Sequence, residues 1–312
     1  MMITDVPRAD LANLVSASDR KRSRRPGQRY EHFLRDPPFG IAAVGLMAWL
    51  LIAATADVLA DVVFGSSFQH QDLAHAYVAP SLAESALWLG TDELGRSQIV
   101  RLLYAARVSL AVCSAAAILN VALGLAAGLA GGYFRGWIDD LVQWVISTLQ
   151  AIPRVVLLLA ISALFTPGPV LVIFVLGLLS WPRIALFVRA QTLGLREREF
   201  LTAARALGAP EHRIILRHVL PNVVPFVCIL VAIDLGGLIL VESALSFLGL
   251  GIQPPLPSWG NMLSNAAVGF TRGPWLVYCP LLAVSLTVLW LYILGDALRD
   301  VLDPHHLSRT TT

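Results

Sequence analysis

The sequence predicts an all-α, polytopic membrane protein with about six transmembrane helices, and three observations carry that class. Only 14% of the 312 residues are charged and 56% are hydrophobic, whereas a soluble domain carries about 25% charged residues. Apolar stretches recur at the length of about 20 residues that crosses a hydrocarbon core of roughly 30 Å. The basic residues are also unevenly placed: eight of the 23 precede Pro37 and five lie between Arg196 and Arg217. Mean hydropathy is +0.69, and a formal net charge of +2 offers no field for nucleic acid.

The spans follow in order. Residues 1–36 are polar and basic, so the first apolar segment, Pro37 to Ala56, starts too late for an ordinary secretory signal. Val108 to Phe134 forms the second span, long enough to tilt, with Gly124 and Gly128 at the spacing that lets helices approach closely. The third runs from Ile138 to about Phe165 with Pro153 and Arg154 inside it. Thr166-Pro-Gly-Pro169 is a turn signal, so the fourth runs from Val170 to about Val188. Val223 to Leu245 is the fifth, interrupted by Asp234 and Glu242, and Leu276 to Gly295 the sixth. Cys113, Cys228 and Cys279 lie in apolar stretches without metal-ligand spacing and read as small buried hydrophobes.

Orientation follows from arginine and lysine near the spans. With the N-terminus inside, the cytoplasmic segments are 1–36, 131–137, 189–222 and the tail after Asp296; Arg96, Arg101, Arg107 and Arg272 fall outside. Both termini are then cytoplasmic. The basic tail either fixes topology or also meets anionic lipid headgroups, each basic residue there being worth roughly 1 kcal/mol.

Between spans four and five lies Glu199-Phe-Leu-Thr-Ala-Ala-Arg-Ala-Leu-Gly208, followed after nine residues by His218-Val-Leu-Pro221. It reads as a short amphipathic helix, a break at Gly208-Ala-Pro210 and a second helix. Leu201, Ala203, Ala204 and Leu207 form an apolar strip, and Arg198, Arg205, Arg213 and Arg217 stay solvated. A strip of small residues suits docking into a partner's groove, and equally an amphipathic connector lying on the membrane.

This segment resembles the coupling motif of binding-protein-dependent ABC importer permeases, in which an acidic-Ala-Ala triplet is followed at fixed spacing by Gly and then by an aliphatic residue, any residue, and Leu-Pro. Ala203, Ala204, Gly208, Leu220 and Pro221 match, while Thr202 replaces the acidic residue and His218 the aliphatic one. Leu89-Gly-Thr-Asp-Glu-Leu-Gly-Arg96, with Ser97 where aspartate is common, is similar to the dipeptide, oligopeptide and nickel group. So are Leu245 to Gly260 and Leu294 to Pro304, which resemble its C-type permease subunit. The resemblance spans about residues 30–307. It implies a type I ABC importer permease-like fold in a bacterial inner membrane. The expected division is a basic cytoplasmic tail (1–36), a permease domain (37–303) with a cytoplasmic coupling segment (197–217), and a cytoplasmic tail (304–312).

The resemblance further implies that Glu199, Thr202, Ala203, Ala204, Gly208, Leu220 and Pro221 couple the chain to an ATPase. Implied partners are a second homologous permease, cytoplasmic ABC ATPase subunits that bind ATP and Mg, an extracytoplasmic solute-binding protein and membrane lipid. Relatives handle dipeptides, oligopeptides, nickel complexes or haem. Arg154, Asp234 and Glu242 are candidate pathway residues, since an ionisable group within a span usually meets a partner or an aqueous cavity. Counting 1.5 Å per residue places Arg154 roughly 24 Å along span three, and Asp234 and Glu242 roughly 16 and 28 Å along span five. Arg154 is expected either to pair with one acid, Glu242 being favoured by depth, or to extend to the outer interface.

Other classes find less support. A membrane-embedded enzyme needs convergent polar groups, and no His-Glu-x-x-His, Cys-x-x-Cys or Gly-x-Ser-x-Gly is present. His305 and His306 read as part of a tail rather than as metal ligands, and no catalytic residue or cofactor is assigned to the chain. A scaffold or assembly protein without transport of its own remains the alternative. A P-loop needs Gly-x-x-x-x-Gly-Lys-Ser/Thr, and the only lysine, Lys21, lacks that setting. The purified chain alone is therefore expected neither to bind nor to hydrolyse ATP; saturable nucleotide binding in detergent contradicts this.

Overall fold

In lipid a backbone must satisfy its own hydrogen bonds, so the apolar segments become helices, and proline and glycine decide where each one starts, stops or bends. A computed structural model describes residues 37–302; among the described residues there are helices and no strand. The basic N-terminal tail with Lys21, and the C-terminal tail with His305 and His306, lie outside the described residues.

Helix α1 (Pro37–Val58) ends in a π turn, Leu59–Val63. An irregular segment leads to α2 (Gln98–Phe134). The chain reverses through Arg135 and Gly136, whose φ angles are 58° and 57°, into α3 (Gly136–Ala151) and α4 (Arg154–Leu164). Helix α5 (Pro169–Arg196) starts on Gly168-Pro169 and ends at a hairpin formed by α6 (Glu199–Ala206) and α7 (Glu211–Ile214). A π turn, Ile215–Val219, joins α7 to α8 (Leu220–Phe247), and α9 (Trp259–Val268) and α10 (Trp275–Leu302) complete the described residues.

Among the described residues five helical stretches are long and apolar enough to cross a membrane, and the α3–α4 pair is a sixth if counted as one span. That pair corrects the straight third span read from the sequence: its halves are bent by 84°. Steric conflict with a proline ring drives the preceding residue out of the helical region. Ile152 accordingly sits at φ −98°, ψ 131° and ends α3, while Pro153 caps α4. The fifth span also begins earlier than expected, at Glu211 rather than Val223. Pro221 has no N–H for the Arg217 carbonyl, and the chain passes this point through the π turn instead of breaking. Helix α2 begins at Gln98 rather than Val108. Its 37 residues reach about 55 Å, so its outer end stands clear of the hydrocarbon.

Helix α2 is the central post, packed against α1, α5 and α8. Its contact with α5 has the least tolerance. A Cβ on Gly124 would lie 2.6 Å from Ile184, one on Gly128 2.6 Å from the Ala185 carbonyl, and one on Gly132 2.8 Å from the Arg189 carbonyl. From the other side, Gly177 takes Leu119 equally closely. The small-residue spacing of the sequence is thus a seam where two backbones nearly touch. At the hairpin end the Arg189 guanidinium donates to both Asp139 carboxylate oxygens at 2.6 Å, tying α5 to α3.

Of the three cysteines, only Cys113 is fully buried as expected; Cys228 is exposed and Cys279 partly so. Position 228 lies on the outer face of α8, where an apolar neighbour from lipid or protein replaces the core.

Because a side chain at Gly128 has no space, Gly128→Leu is expected to destabilise the detergent-purified protein by about 2–3 kcal/mol. Gly194→Ala, with nothing within 4 Å of the added carbon, is expected to keep the parent's thermal midpoint or slightly exceed it. Equal midpoints for Gly128→Leu and the parent contradict the seam.

Candidate functional site

Among the described residues three polar assemblies interrupt the apolar bundle: the α6–α7 hairpin, a charged cluster halfway along α5 and α8, and a carboxyl buried beneath the loop between α8 and α9.

The hairpin is built on one buried leucine and one glycine. Leu201 is fully buried among Leu129 and Tyr133 of α2, Ile184 and Val188 of α5, and Ile214 and Val219 beyond the turn. Helix α6 stops because Gly208 takes φ +78°, a conformation costing a residue with a Cβ roughly 1–2 kcal/mol. Gly208 N–H donates to the Arg205 carbonyl and Ala209 N–H to the Ala204 carbonyl, the paired bonds that close a helix on a left-handed residue. Ala204 and Ala209 pack on the same cluster. The apolar strip read from the sequence therefore divides: Leu201 and Ala204 face inward, whereas Ala203 and Leu207 point out, Leu207 being 88% exposed.

Glu199, Phe200, Thr202, Ala203 and Gly208 share that outer surface. Leu220 is half-buried against the inner cluster and Pro221 is exposed beside it. Arg198, Arg213 and Arg217 are exposed, but Arg205 stacks over the Tyr133 ring at 5.4 Å. The Tyr133 hydroxyl donates to the Glu211 carboxylate, so the tip of α2 holds both arms of the hairpin. Arg135 on the adjoining turn reaches Glu197 at 3.1 Å.

The second assembly departs from the expected pairing. Arg154 donates to the Ser180 hydroxyl at 2.6 Å, and Asp234 is taken by Arg183 at 2.7 Å. No ion pair joins Arg154 to Asp234 or Glu242. The depth count assumed one continuous axis, and the 84° bend removes that assumption. Arg154 and Arg183 are exposed in the single chain, and the Asp234 side chain is 10% exposed. Together with Ser180, Gln150 and Pro153 the two arginines border a cavity of about 230 Å³ at the bend. Sequence reasoning missed Arg183 and Ser180. The signal was present, since Arg183 is a charge inside span four, directly after Ser180-Trp-Pro182.

Glu242 belongs elsewhere. It is fully buried and accepts hydroxyls from Ser246 at 2.7 Å, Ser109 at 3.3 Å and Ser243 at 3.4 Å. Two of those serines in turn accept N–H groups from the segment after α8: Ile252 donates to Ser246 and Trp259 to Ser109. Glycines let the loop sit this close. A Cβ on Gly251 would meet the Ser246 hydroxyl oxygen, and one on Gly260 the Ser243 carbonyl, both at 2.3 Å. Ser258 and Asn261 cap α9 reciprocally. The Leu89–Arg96 motif closes on Asp92, which accepts the Leu94 and Arg96 N–H groups and the Arg96 guanidinium, with Arg101 3.5 Å away.

A bundle of apolar helices carrying a charged cavity at mid-length and an exposed basic hairpin at one end has the build of a membrane transport component. Residues 120–306 match the family of binding-protein-dependent transport system inner membrane components, and the chain belongs to that family. It is a multi-pass inner-membrane permease subunit, not an enzyme. More particularly, it is 36% identical over 264 residues to the oligopeptide transport system permease protein OppC of Haemophilus influenzae, covering 85% of this chain and 84% of that one. To the glutathione transport system permease protein GsiD of Escherichia coli it is 36% identical over 275 residues, covering 88% and 89%. A chain of the inward-facing MetNI methionine ABC transporter shares the fold with a TM-score of 0.53 at 19% identity, over 65% of this chain and 97% of that one. The type I importer permease fold expected from the sequence is the fold observed.

Removing the Glu242 carboxyl leaves three serine hydroxyls without their acceptor in a dry interior. Glu242→Leu is expected to cost about 3 kcal/mol and Glu242→Gln, which keeps an acceptor oxygen, distinctly less. Thermal unfolding in detergent checks the order; equal losses contradict it.

Proposed function

We propose that this chain forms half of the translocation pathway of an ATP-driven importer for di- or oligopeptides or similar small solutes, and that it receives the motion of separate ATPase subunits at the 197–217 hairpin. The observation that carries this reading is the charged face at mid-span. Arg154 and Arg183 are exposed in the single chain, and at the centre of a spanning helix each arginine facing lipid costs about 3 kcal/mol. Such a face calls for an aqueous, protein-walled space opposite it, which a second homologous permease supplies. The relatives' names, oligopeptide and glutathione permeases, support a peptide-like solute.

In this reading Glu199, Thr202, Ala203 and Gly208 form the outer surface of the docking helix, Ala204 seats it on the inner cluster, and Leu220 and Pro221 lie at its base. Phe200 and Leu207, both exposed apolar side chains on α6 and its cap, supply the contact area. ATP and Mg belong to the partner subunits. An extracytoplasmic solute-binding protein delivers cargo to the external face, made by the 64–97 segment and α9. Both termini then lie in the cytoplasm, on the side of the hairpin.

Gly208 tests the coupling role. There is open space around it, so Gly208→Val acts on backbone conformation alone and redirects α6 without touching the core. In the reconstituted transporter this variant is expected to insert at normal abundance and retain ATP hydrolysis, while uptake falls at least tenfold. Gly208→Asn, which tolerates positive φ, is expected to keep most uptake. Normal uptake by Gly208→Val at normal abundance, or failure of the parent chain to co-purify with an ATPase subunit, overturns the reading in favour of a scaffold.

A further inference from the structure

We infer that the cavity at the α3–α4 bend is a station for the carboxylate group of a transiting solute, with Arg154 as its ligand; this rests on the pathway reading above.

The cluster is unbalanced in charge. Arg183 is neutralised by Asp234 at 2.7 Å, whereas Arg154 meets only the Ser180 hydroxyl, at 2.6 Å. No carboxylate among the described residues lies within ion-pair distance of it. Two guanidiniums facing one carboxylate leave one positive charge at the cavity. A guanidinium carries five N–H donors in a planar fork. Arg154 spends one on Ser180, leaving an edge that fits a carboxylate in two parallel hydrogen bonds.

Ser180 orients the group. Its hydroxyl donates to the Leu176 carbonyl one turn back, which fixes its lone pairs toward Arg154. Gln150, on the last turn of α3, adds an amide to the same wall. Pro153 holds the wall open, since the bend it causes separates α4 from the α3 axis.

Size and depth name the occupant. The cavity of about 230 Å³ on this chain is smaller than the roughly 300–1,000 Å³ of sites that enclose a whole small ligand, so this wall holds one end of a solute and the facing permease walls the rest. Ser180 and Arg183 lie about 17 and 21 Å from the Pro169 end of a helix about 42 Å long, too deep for a phospholipid headgroup to occupy the site. What remains is the carboxylate terminus of a molecule passing through. A single arginine in a wet cavity is also suited to passage, because a transport station must bind well enough to be entered and weakly enough to be left.

The test reads the charge at the cavity directly. In the complete transporter carrying a chain without Cys113, Cys228 and Cys279, Gln150→Cys is labelled with two methanethiosulfonates, the anionic sulfonatoethyl and the cationic trimethylammonioethyl reagents. With Arg154 present the anionic reagent is expected to react faster. Arg154→Gln, which can still bond Ser180, is expected to lower the anionic-to-cationic rate ratio at least about tenfold, and Arg154→Lys to preserve it. Arg183→Gln, leaving Asp234 unpaired, is expected to lower the ratio as well. A ratio unchanged by Arg154→Gln overturns the station while leaving the pathway intact. Failure of both reagents to reach Gln150→Cys during ATP turnover overturns the pathway reading itself.

Discussion

The near-contact of α2 and α5 along Gly124, Gly128 and Gly132 is the constraint on which the other assemblies depend. It places the α5 backbone against a fixed post, and α5 carries Ser180 and Arg183 at mid-length and Ile184 and Val188 beneath the hairpin. One helix thus positions both the charged cavity and the floor under Leu201. The seam gains its rigidity from the absence of side chains, which removes any rotamer adjustment by which the helices could slide.

A second requirement runs through the bundle: in lipid, a carbonyl freed by proline must find another donor or a harmless place. Pro280 in α10 cannot bond the Leu276 carbonyl, and the Gln98 side chain donates to that oxygen at 3.4 Å. Gln98 opens α2, so the repair of one helix fastens it to the head of another. At the far end of α1, Arg107 of α2 donates to the Ala53 and Ala54 carbonyls and pairs with Asp57 at 2.8 Å. Residues read from the sequence as external topological charges, Arg101 and Arg107, are in the structure the polar fastenings of the outer bundle.

What the sequence made legible was whatever depends on local pattern. Apolar length located the helices, Gly168-Pro169 the start of α5, Gly208-Ala-Pro210 the hairpin turn, and Gly124 with Gly128 the close seam. What stayed hidden depends on direction in three dimensions. The sequence lists Arg154, Arg183, Asp234 and Glu242 without the bend that turns α4, and depth counting along a bent helix pairs the wrong residues. The division of the α6 strip into an inner Leu201 and an outer Leu207 was hidden for the same reason. Periodicity groups residues on a face, but the Schellman-type turn at Gly208 lifts Leu207 off that face. Glu242 was recognisable as an anomalous charge, yet its serine partners come from α2 and its own helix, and serines in apolar spans give little signal.

The union of α5 with the hairpin has a mechanical meaning. Arg183 lies 13 residues from Arg196 at the hairpin end of α5, about 20 Å along the axis. As a stiff rod pivoting at that end, α5 swings Arg183 sideways by about 3.5 Å for a tilt of about 10° at that radius. Ile184, the next residue, packs against Gly124, so such a swing keeps the seam closed only when α2 travels with α5, and the stroke then exceeds the length of the Arg183–Asp234 bond to α8. On the docking role proposed above for the hairpin, the α2–α5 pair is a lever whose short input is α6 and whose output is read in ångströms of charge displacement.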